Sequence, residues 1–83
     1  MITLYVKDGC PYCAAVLHKV DEIALVVNLK NIKDEAIAEE LIQKGGKRQV
    51  PYMIDEDQNV SMYESADIVE YLDREYKKAD DTI

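Results

Sequence analysis

The sequence predicts an α/β protein with the element order β-α-β-α-β-β-α, in which helices cover both faces of a four-stranded mixed sheet. Three observations predict this architecture: β-rich runs alternate with helical periodicities, a helix connects the first two strands, and a turn connects the last two. The chain has 83 residues, of which 48% are hydrophobic and 33% charged. This length and composition are typical of one globular domain, which we expect to span residues 1–83.

The first half of the chain predicts a β-α-β unit. Residues 2–6 are apolar or β-branched and precede an Asp-Gly pair, which predicts a buried strand that ends in a loop. Pro11 suits the first position of a helix, and the apolar spacing that follows predicts a helix over residues 11–23. Residues 25–29 predict a second strand, parallel to the first because a helix connects the two. The apolar face of this helix is predicted to consist of Val16, Leu17, Val20 and Ile23.

The middle of the chain predicts a second helix followed by a hairpin. Asp34 is a suitable N-cap for this helix, and the Gly-Gly pair at 45–46 is expected to end it. Residues 50–54 and 60–63 are β-rich and are separated by a turn, which predicts two antiparallel strands. The inner face of the second helix is predicted to consist of Ile37, Leu41 and Ile42.

A third helix is predicted after the hairpin. Ser65 is expected to cap it, and Asp67 in the first turn favours the positive end of the helix dipole. Residues 77–83 are mostly polar and are expected to fray. The packed face of this helix is predicted to consist of Ile68, Val69, Leu72 and Tyr76.

The charge and hydropathy of the chain exclude several partners. Seventeen acidic and ten basic residues give a formal net charge of -7, which repels the phosphates of nucleic acids and anionic lipids. Apolar runs such as residues 23–27 are far shorter than the ~20 residues that cross a bilayer, and no signal-peptide pattern is found. We therefore expect a cytoplasmic protein with neither nucleic-acid nor membrane partners.

The two cysteines, Cys10 and Cys13, are the strongest functional signal. Three residues apart across the first turn of a helix, their sulfurs lie within disulfide reach. The sulfur of Cys10 is placed near the unpaired N–H groups of the helix N-terminus, which stabilise a thiolate. A thiolate of low pKa is a good leaving group, so glutathione or Cys13 could displace Cys10 from a mixed disulfide. The pair therefore predicts thiol–disulfide exchange with Cys10 as the nucleophile.

A structural role for the cysteines is the alternative interpretation. A zinc site would need two more thiolate or imidazole ligands, and only His18, within the first helix, is available. A closed site would then require carboxylates or a second chain. A disulfide between Cys10 and Cys13 would close too short a loop to constrain the fold. We therefore expect no metal, and we expect His18 to lie on the surface.

Two further features predict a binding site. Pro51 lies in an apolar strand-like run, where either a cis Val50–Pro51 peptide or a trans proline at the strand start accounts for it. A cis bend would leave the Val50 N–H and C=O free to pair with an extended peptide. Tyr63, Glu64 and Ser65 precede the third helix, whose N–H groups could bind a carboxylate while Glu64 accepts from an α-amino group. An ordinary helix cap with a flanking acid produces the same pattern.

Together these residues resemble the glutaredoxin family. Residues 10–13, Cys-Pro-Tyr-Cys, are similar to the active-site tetrapeptide of dithiol glutaredoxins. Residues 49–51, Gln-Val-Pro, resemble the family's Thr-Val-Pro segment, whose proline is cis. Residues 63–72 resemble the glutathione-binding helix start of glutathione transferase N-terminal domains and of transferase-like glutaredoxins. The resemblance spans about residues 2–76 and implies a thioredoxin-like fold.

The resemblance implies a glutathione-dependent thiol–disulfide oxidoreductase that acts in cell redox homeostasis and electron transport. Cys10 would attack a protein disulfide or a protein–glutathione mixed disulfide, and glutathione or the resolving Cys13 would complete the exchange. The implied co-substrate is glutathione, the implied partners are glutathionylated and disulfide-bonded proteins, and a monomer is expected. The implied glutathione-binding residues are Lys7, Tyr12, Gln49, Val50, Pro51, Glu64 and Ser65, with Lys47 and Arg48 as candidates for the glycyl carboxylate.

Some alternatives stay open at this point. Lys7, Lys47 and Arg48 are also consistent with solvated surface cations, and this interpretation is favoured for Lys47 and Arg48. The chain could be an iron–sulfur carrier, in which Cys10 thiolates of two protomers and two glutathiones hold a cluster. It could also be a thioredoxin-like electron donor reduced by a flavoprotein. Transferase-like relatives have an all-helical second domain, which these 83 residues do not encode, so conventional transferase activity is not expected.

Overall fold

The computed structural model describes residues 1–76, and its elements follow the predicted order. The predicted fraying of residues 77–83 falls outside the described part of the chain. The strands are β1 (Ile2–Val6), β2 (Val27–Asn31), β3 (Tyr52–Asp55) and β4 (Val60–Met62), and the helices are α1 (Pro11–Glu22), α2 (Glu35–Gly45) and α3 (Ser65–Tyr76).

The four strands form one mixed sheet in the order β2-β1-β3-β4. Strand β1 pairs in parallel with β2, with Leu4 opposite Leu29, and antiparallel with β3, with Leu4 opposite Met53. Strands β3 and β4 form the predicted antiparallel hairpin. The predicted fold class is therefore confirmed. Strand β1 is an interior strand, with β2 on one side and β3 on the other.

Strand β1 separates two hydrophobic cores because its side chains alternate between the faces of the sheet. Its even-numbered residues pack beneath α1 and α3, whereas Tyr5 packs beneath α2. The helices thus cover both faces, as predicted. The α1/α3 core consists of Ile2, Leu4, Val6, Cys13, Val16, Ile23, Met53, Ile68, Tyr71 and Leu72, and the α2 core consists of Tyr5, Ile32, Ala38, Leu41 and Tyr52.

Helix α2 has the predicted caps and a slightly different inner face. The Asp34 carboxylate accepts a hydrogen bond from the Ala36 N–H, and Gly46 ends the helix in the left-handed conformation, with φ of 91°. Ala38 is fully buried, whereas Ile42, which was predicted to face inward, is 40% exposed. The inner face of α2 is therefore centred on Ala38 and Leu41, and Ile42 lies at its solvent-exposed margin.

Several predicted boundaries are shifted in the structure; β3, for example, begins at Tyr52 rather than at residue 50. Strand β2 begins two residues later than predicted because the Leu25 N–H donates to the Val20 carbonyl at 3.0 Å and so completes the end of α1. Helix α3 includes Ser65 as its first residue, and the Glu64 carbonyl accepts from the Ile68 N–H at 2.9 Å. Glu64, rather than Ser65, therefore occupies the cap position.

A buried carboxylate joins the end of β3 to α3. Asp55 is fully buried and accepts hydrogen bonds from the hydroxyl groups of Tyr71, at 2.6 Å, and Tyr76. It also accepts from the backbone N–H of Asp57 at 3.1 Å. Burial, the largest influence, opposes ionisation of Asp55, but these donors outweigh it and lower its pKa. Asp55 therefore anchors α3 as an ionised group.

We expect Asp55→Ala to lower the free energy of unfolding by about 3 kcal/mol, because it leaves two tyrosine hydroxyl groups without their acceptor. Chemical denaturation at pH 7 measures this change. Asp57→Ala, at a side chain that is 74% exposed, is the matched control and is expected to change stability little. A loss below about 1 kcal/mol for Asp55→Ala would contradict the anchoring role.

The same carboxylate makes stability depend on pH. The pKa of Asp55 is lower in the folded chain than in the unfolded chain. Its contribution is therefore fully present above the ordinary carboxyl pKa of about 3.9 and is lost as the pH falls through the lower folded-state value.

Candidate active site

Helix α1 places the two cysteines at its N-terminus, as predicted. Cys10 is the N-cap residue, and its Sγ accepts a hydrogen bond from the backbone N–H of Cys13 at 3.2 Å. Pro11 occupies the first turn, where its missing N–H costs no helical hydrogen bond. Both thiols are free, with Cys10 half-buried and Cys13 only 1% exposed. Cys10 is thus the thiol that solvent and substrate can reach.

The two thiols differ in acidity. Burial, the largest influence on Cys10, opposes its ionisation, but hydrogen bonds from Cys13 and from the Tyr12 N–H, together with the charge of Lys7, outweigh it and lower its pKa. Burial raises the pKa of Cys13 to about 11, and its hydrogen bond with Cys10 acts in the same direction. Cys10 is therefore the more acidic of the two thiols, while Cys13 stays protonated at neutral pH.

The peptide bond between Val50 and Pro51 is cis, which confirms that prediction. Pro51 is buried at the start of β3, and Val50 packs against both hydrophobic cores. Within residues 1–76, no hydrogen bond joins the Val50 backbone to another residue. Its N–H and C=O groups are therefore available to an extended ligand, as a cis bend at this position predicts.

A cavity of about 360 Å³ collects most of the predicted binding residues. Lys7 does not line it: this exposed side chain follows β1 and acts on the site through its charge on Cys10. Tyr63 does line it, although it was not among the predicted binding residues. Its position directly before the Glu-Ser pair is the signal that could have identified it. The predicted residues that line the cavity are Tyr12, Gln49, Val50, Pro51, Glu64 and Ser65.

The two cationic candidates beside the cavity differ in their partners. The Arg48 guanidinium forms two hydrogen bonds with the Glu35 carboxylate, at 3.4 and 3.2 Å. The Lys47 ammonium instead lies 5.2 Å from the centre of the Tyr63 ring. Because Tyr63 lines the cavity, Lys47 is the cation better placed to meet a ligand there.

The described residues offer neither a metal centre nor a membrane span. Among residues 1–76, no three His, Cys, Asp or Glu side chains are grouped closely enough to hold a metal ion. His18 is exposed on α1, as predicted. No helix in this range combines the length and apolar composition that crossing a bilayer requires.

The mixed sheet, the cysteine-capped first helix and the cis-proline beside a cavity define a thioredoxin-like domain. Comparison with known families identifies the group more closely. Residues 4–79 match the family described as "Glutathione S-transferase, N-terminal domain". The match covers nearly the whole chain, so the chain belongs to this family. The narrower resemblance to glutaredoxins stays a prediction.

Solved structures of glutathione transferases are similar to this chain. That of the Antarctic clam Laternula elliptica is 31% identical with a TM-score of 0.80, over 98% of this chain and 39% of the clam chain. A delta-class transferase of Nilaparvata lugens is 28% identical with a TM-score of 0.80, over 96% of this chain and 38% of that one. Human transferase T1-1 is 26% identical with a TM-score of 0.79, over 96% of this chain and 34% of the human chain. The chain thus spans less than half the length of these proteins, and no curated protein matches its sequence.

Proposed function

We propose that this chain is a glutathione-dependent thiol–disulfide oxidoreductase of the glutaredoxin type. Its substrates are protein–glutathione mixed disulfides and protein disulfides. The observation that carries the proposal is an accessible Cys10 of lowered pKa, paired with Cys13 of raised pKa at one helix N-terminus. Reduction of a protein disulfide needs such a division between a reactive and a resolving thiol.

Membership of the transferase family supports glutathione as the co-substrate. The free backbone groups of Val50 would pair with the cysteinyl residue of glutathione. Ser65 and the N–H groups of α3 would bind the γ-glutamyl carboxylate, and Glu64 would accept from its α-ammonium. Tyr12, which is 66% exposed, would pack against the bound tripeptide. Lys47 would meet the glycyl carboxylate, because Arg48 is held by Glu35.

The proposed reaction with a glutathionylated protein has two exchange steps. The Cys10 thiolate attacks the glutathione sulfur, the mixed disulfide breaks, and the protein thiolate leaves and takes up a proton. A second glutathione, as thiolate, then attacks the sulfur of the bound glutathione. The Cys10 thiolate is released together with glutathione disulfide, so one free glutathione is consumed and the other half of that disulfide comes from the substrate.

The proposed reaction with a protein disulfide uses both cysteines. Cys10 attacks one sulfur of the substrate and forms a mixed disulfide. The Cys13 thiol loses its proton and attacks the Cys10 sulfur, which releases the substrate as a dithiol. The resulting Cys10–Cys13 disulfide is reduced by two glutathione molecules. We also propose that the protein is cytoplasmic, because the cytosol keeps glutathione reduced. We further propose that it is a monomer.

A coupled assay tests the function directly. The protein is incubated with a glutathionylated peptide, glutathione, glutathione reductase and NADPH, and we expect consumption of NADPH that depends on the protein. Recycling of the oxidised protein by thioredoxin reductase, without a response to glutathione, would instead identify a thioredoxin-like electron donor. A brown, dimeric protein purified without oxygen and inactive in this assay would identify an iron–sulfur carrier.

We expect Glu64→Gln to raise the KM for glutathione about tenfold, because it removes the anionic partner of the α-ammonium group. Steady-state kinetics in the coupled assay measure this change. Glu70→Gln is the matched control, since Glu70 is exposed on the same helix but does not line this cavity. An equal KM for both variants would refute the assignment of Glu64.

A further inference from the structure

The side chain of Tyr63 connects the two chain segments that line the cavity. Its hydroxyl group accepts a hydrogen bond from the Lys47 N–H at 3.1 Å and donates one to the Lys47 carbonyl at 3.0 Å. Lys47 begins the segment that leads to Gln49 and Val50, whereas Tyr63 directly precedes Glu64. One hydroxyl group thus joins segments that are 16 residues apart in sequence.

The Tyr63 ring is confined on several sides. It packs against the Tyr52 ring, with the ring centres 4.3 Å apart, and the Lys47 ammonium lies over it. Gly45 leaves the room that the hydroxyl group occupies, because a Cβ at this position would clash with the Tyr63 oxygen. The surroundings therefore favour one position of the ring, the position from which both hydrogen bonds form.

The segment that Tyr63 ties down lacks the backbone hydrogen bonds of a helix or strand, although the Arg48 guanidinium bonds to Glu35 and Val50 packs against both hydrophobic cores. Residues 46–50 belong to neither a helix nor a strand. A ligand that contacts Val50 and Glu64 together requires a set distance between the two segments. The hydrogen bonds between Tyr63 and Lys47 help to fix this distance. Neither of them involves the reactive Cys10.

We propose that Tyr63 is a positioning residue for glutathione, which holds the segment from Lys47 to Val50 at the spacing that one tripeptide spans. This inference rests on the proposed function and adds a residue that sets affinity without taking part in the exchange chemistry. Loss of the hydroxyl group would let residues 46–50 move away from Glu64. Glutathione would then bind more weakly, while the reactivity of Cys10 would persist.

The test is Tyr63→Phe, which keeps the ring and removes both hydrogen bonds. The probe is S-methylglutathione, which lacks a free thiol, and calorimetry measures its Kd. We expect Kd to rise about fivefold. We also expect kcat at saturating glutathione and the pH profile of Cys10 alkylation to stay unchanged, and the Lys47 amide hydrogen to exchange faster.

The matched control is Tyr76→Phe, which removes a hydroxyl hydrogen bond at the other end of α3. It is expected to lower stability and to leave Kd unchanged, so it separates a local effect from general destabilisation. If the unaltered protein does not bind S-methylglutathione, both the proposed function and this inference are overturned. If it binds and Tyr63→Phe has the same Kd, only the inference is overturned.

Gly45→Ala perturbs the same contact from the opposite side. The added Cβ must displace the Tyr63 hydroxyl group, so Kd is expected to rise here as well. In the double variant Gly45→Ala/Tyr63→Phe, the two increases should not add, because both act through one pair of hydrogen bonds. Full additivity would overturn the inference.

Discussion

Replacing Cys10 by serine is expected to abolish turnover with glutathionylated and disulfide substrates alike, by at least on the order of 10³-fold. The thiolate is the attacking group, and a serine hydroxyl cannot form the mixed disulfide through which both reactions pass. The coupled glutathione assay with each substrate measures the loss. Residual turnover above a few per cent would show that Cys10 is not the nucleophile.

Cys13→Ser provides the matched comparison because it leaves the N–H that donates to the Cys10 sulfur at 3.2 Å in place. We expect deglutathionylation to continue, since an external glutathione resolves that intermediate. Reduction of a protein disulfide should be lost, because no second thiol can release the substrate. Equal loss of deglutathionylation in the Cys10 and Cys13 variants would contradict the roles assigned to them.

Alkylation by iodoacetamide is expected to separate the two thiols almost completely at pH 7. Cys13 has a pKa of about 11, so at this pH its thiol is ionised in only about one molecule in 10⁴. The side chain is also only 1% exposed, whereas Cys10 is half-buried and its pKa is lowered. Mass spectrometry of the labelled protein should therefore find modification at Cys10 and essentially none at Cys13.

The pH dependence of the same reaction tests the cause of the difference. Because the Cys10 pKa is lowered, its alkylation rate should reach half-maximum at a lower pH than that of an unperturbed cysteine in a short peptide. Lys7→Met should move that midpoint upward, since the Lys7 charge favours the thiolate. Lys33→Met, at an exposed lysine paired with Asp8, is the control and should leave it in place. A midpoint at the ordinary value would rule out a stabilised thiolate.

Local sequence patterns predicted the part of the site that depends on neighbouring residues. The position of Cys10 follows from a proline at the first turn of α1. Pro51 within an apolar run left both a cis and a trans peptide open, and only the resemblance of residues 49–51 to the glutaredoxin segment implied the cis form that is found. The shared cavity follows from the topology: β3 begins beside the loop after β1, and α3 begins after β4. The single domain, the monomeric state and the cytoplasmic location stay predictions.

Contacts between distant residues could not be predicted in the same way. Asp55 looks like a turn residue next to an acidic loop, and only the packing of α3 brings Tyr71 and Tyr76 to its carboxylate. Tyr63 likewise gains its role from Lys47, which lies in another connection. Hydrophobic periodicity identifies which face of an element is buried, but it does not identify which polar group that face meets.

Strand β1 has a partner along both of its sides, and the loop that carries Cys10 follows it directly. Strands β2 and β4 form the two margins of the described sheet, where local opening requires less free energy than in the centre. Thermal fluctuations at these margins can therefore occur without displacing the reactive sulfur. The alignment of the nucleophile thus depends on the strand that is paired on both sides and not on the edges of the sheet.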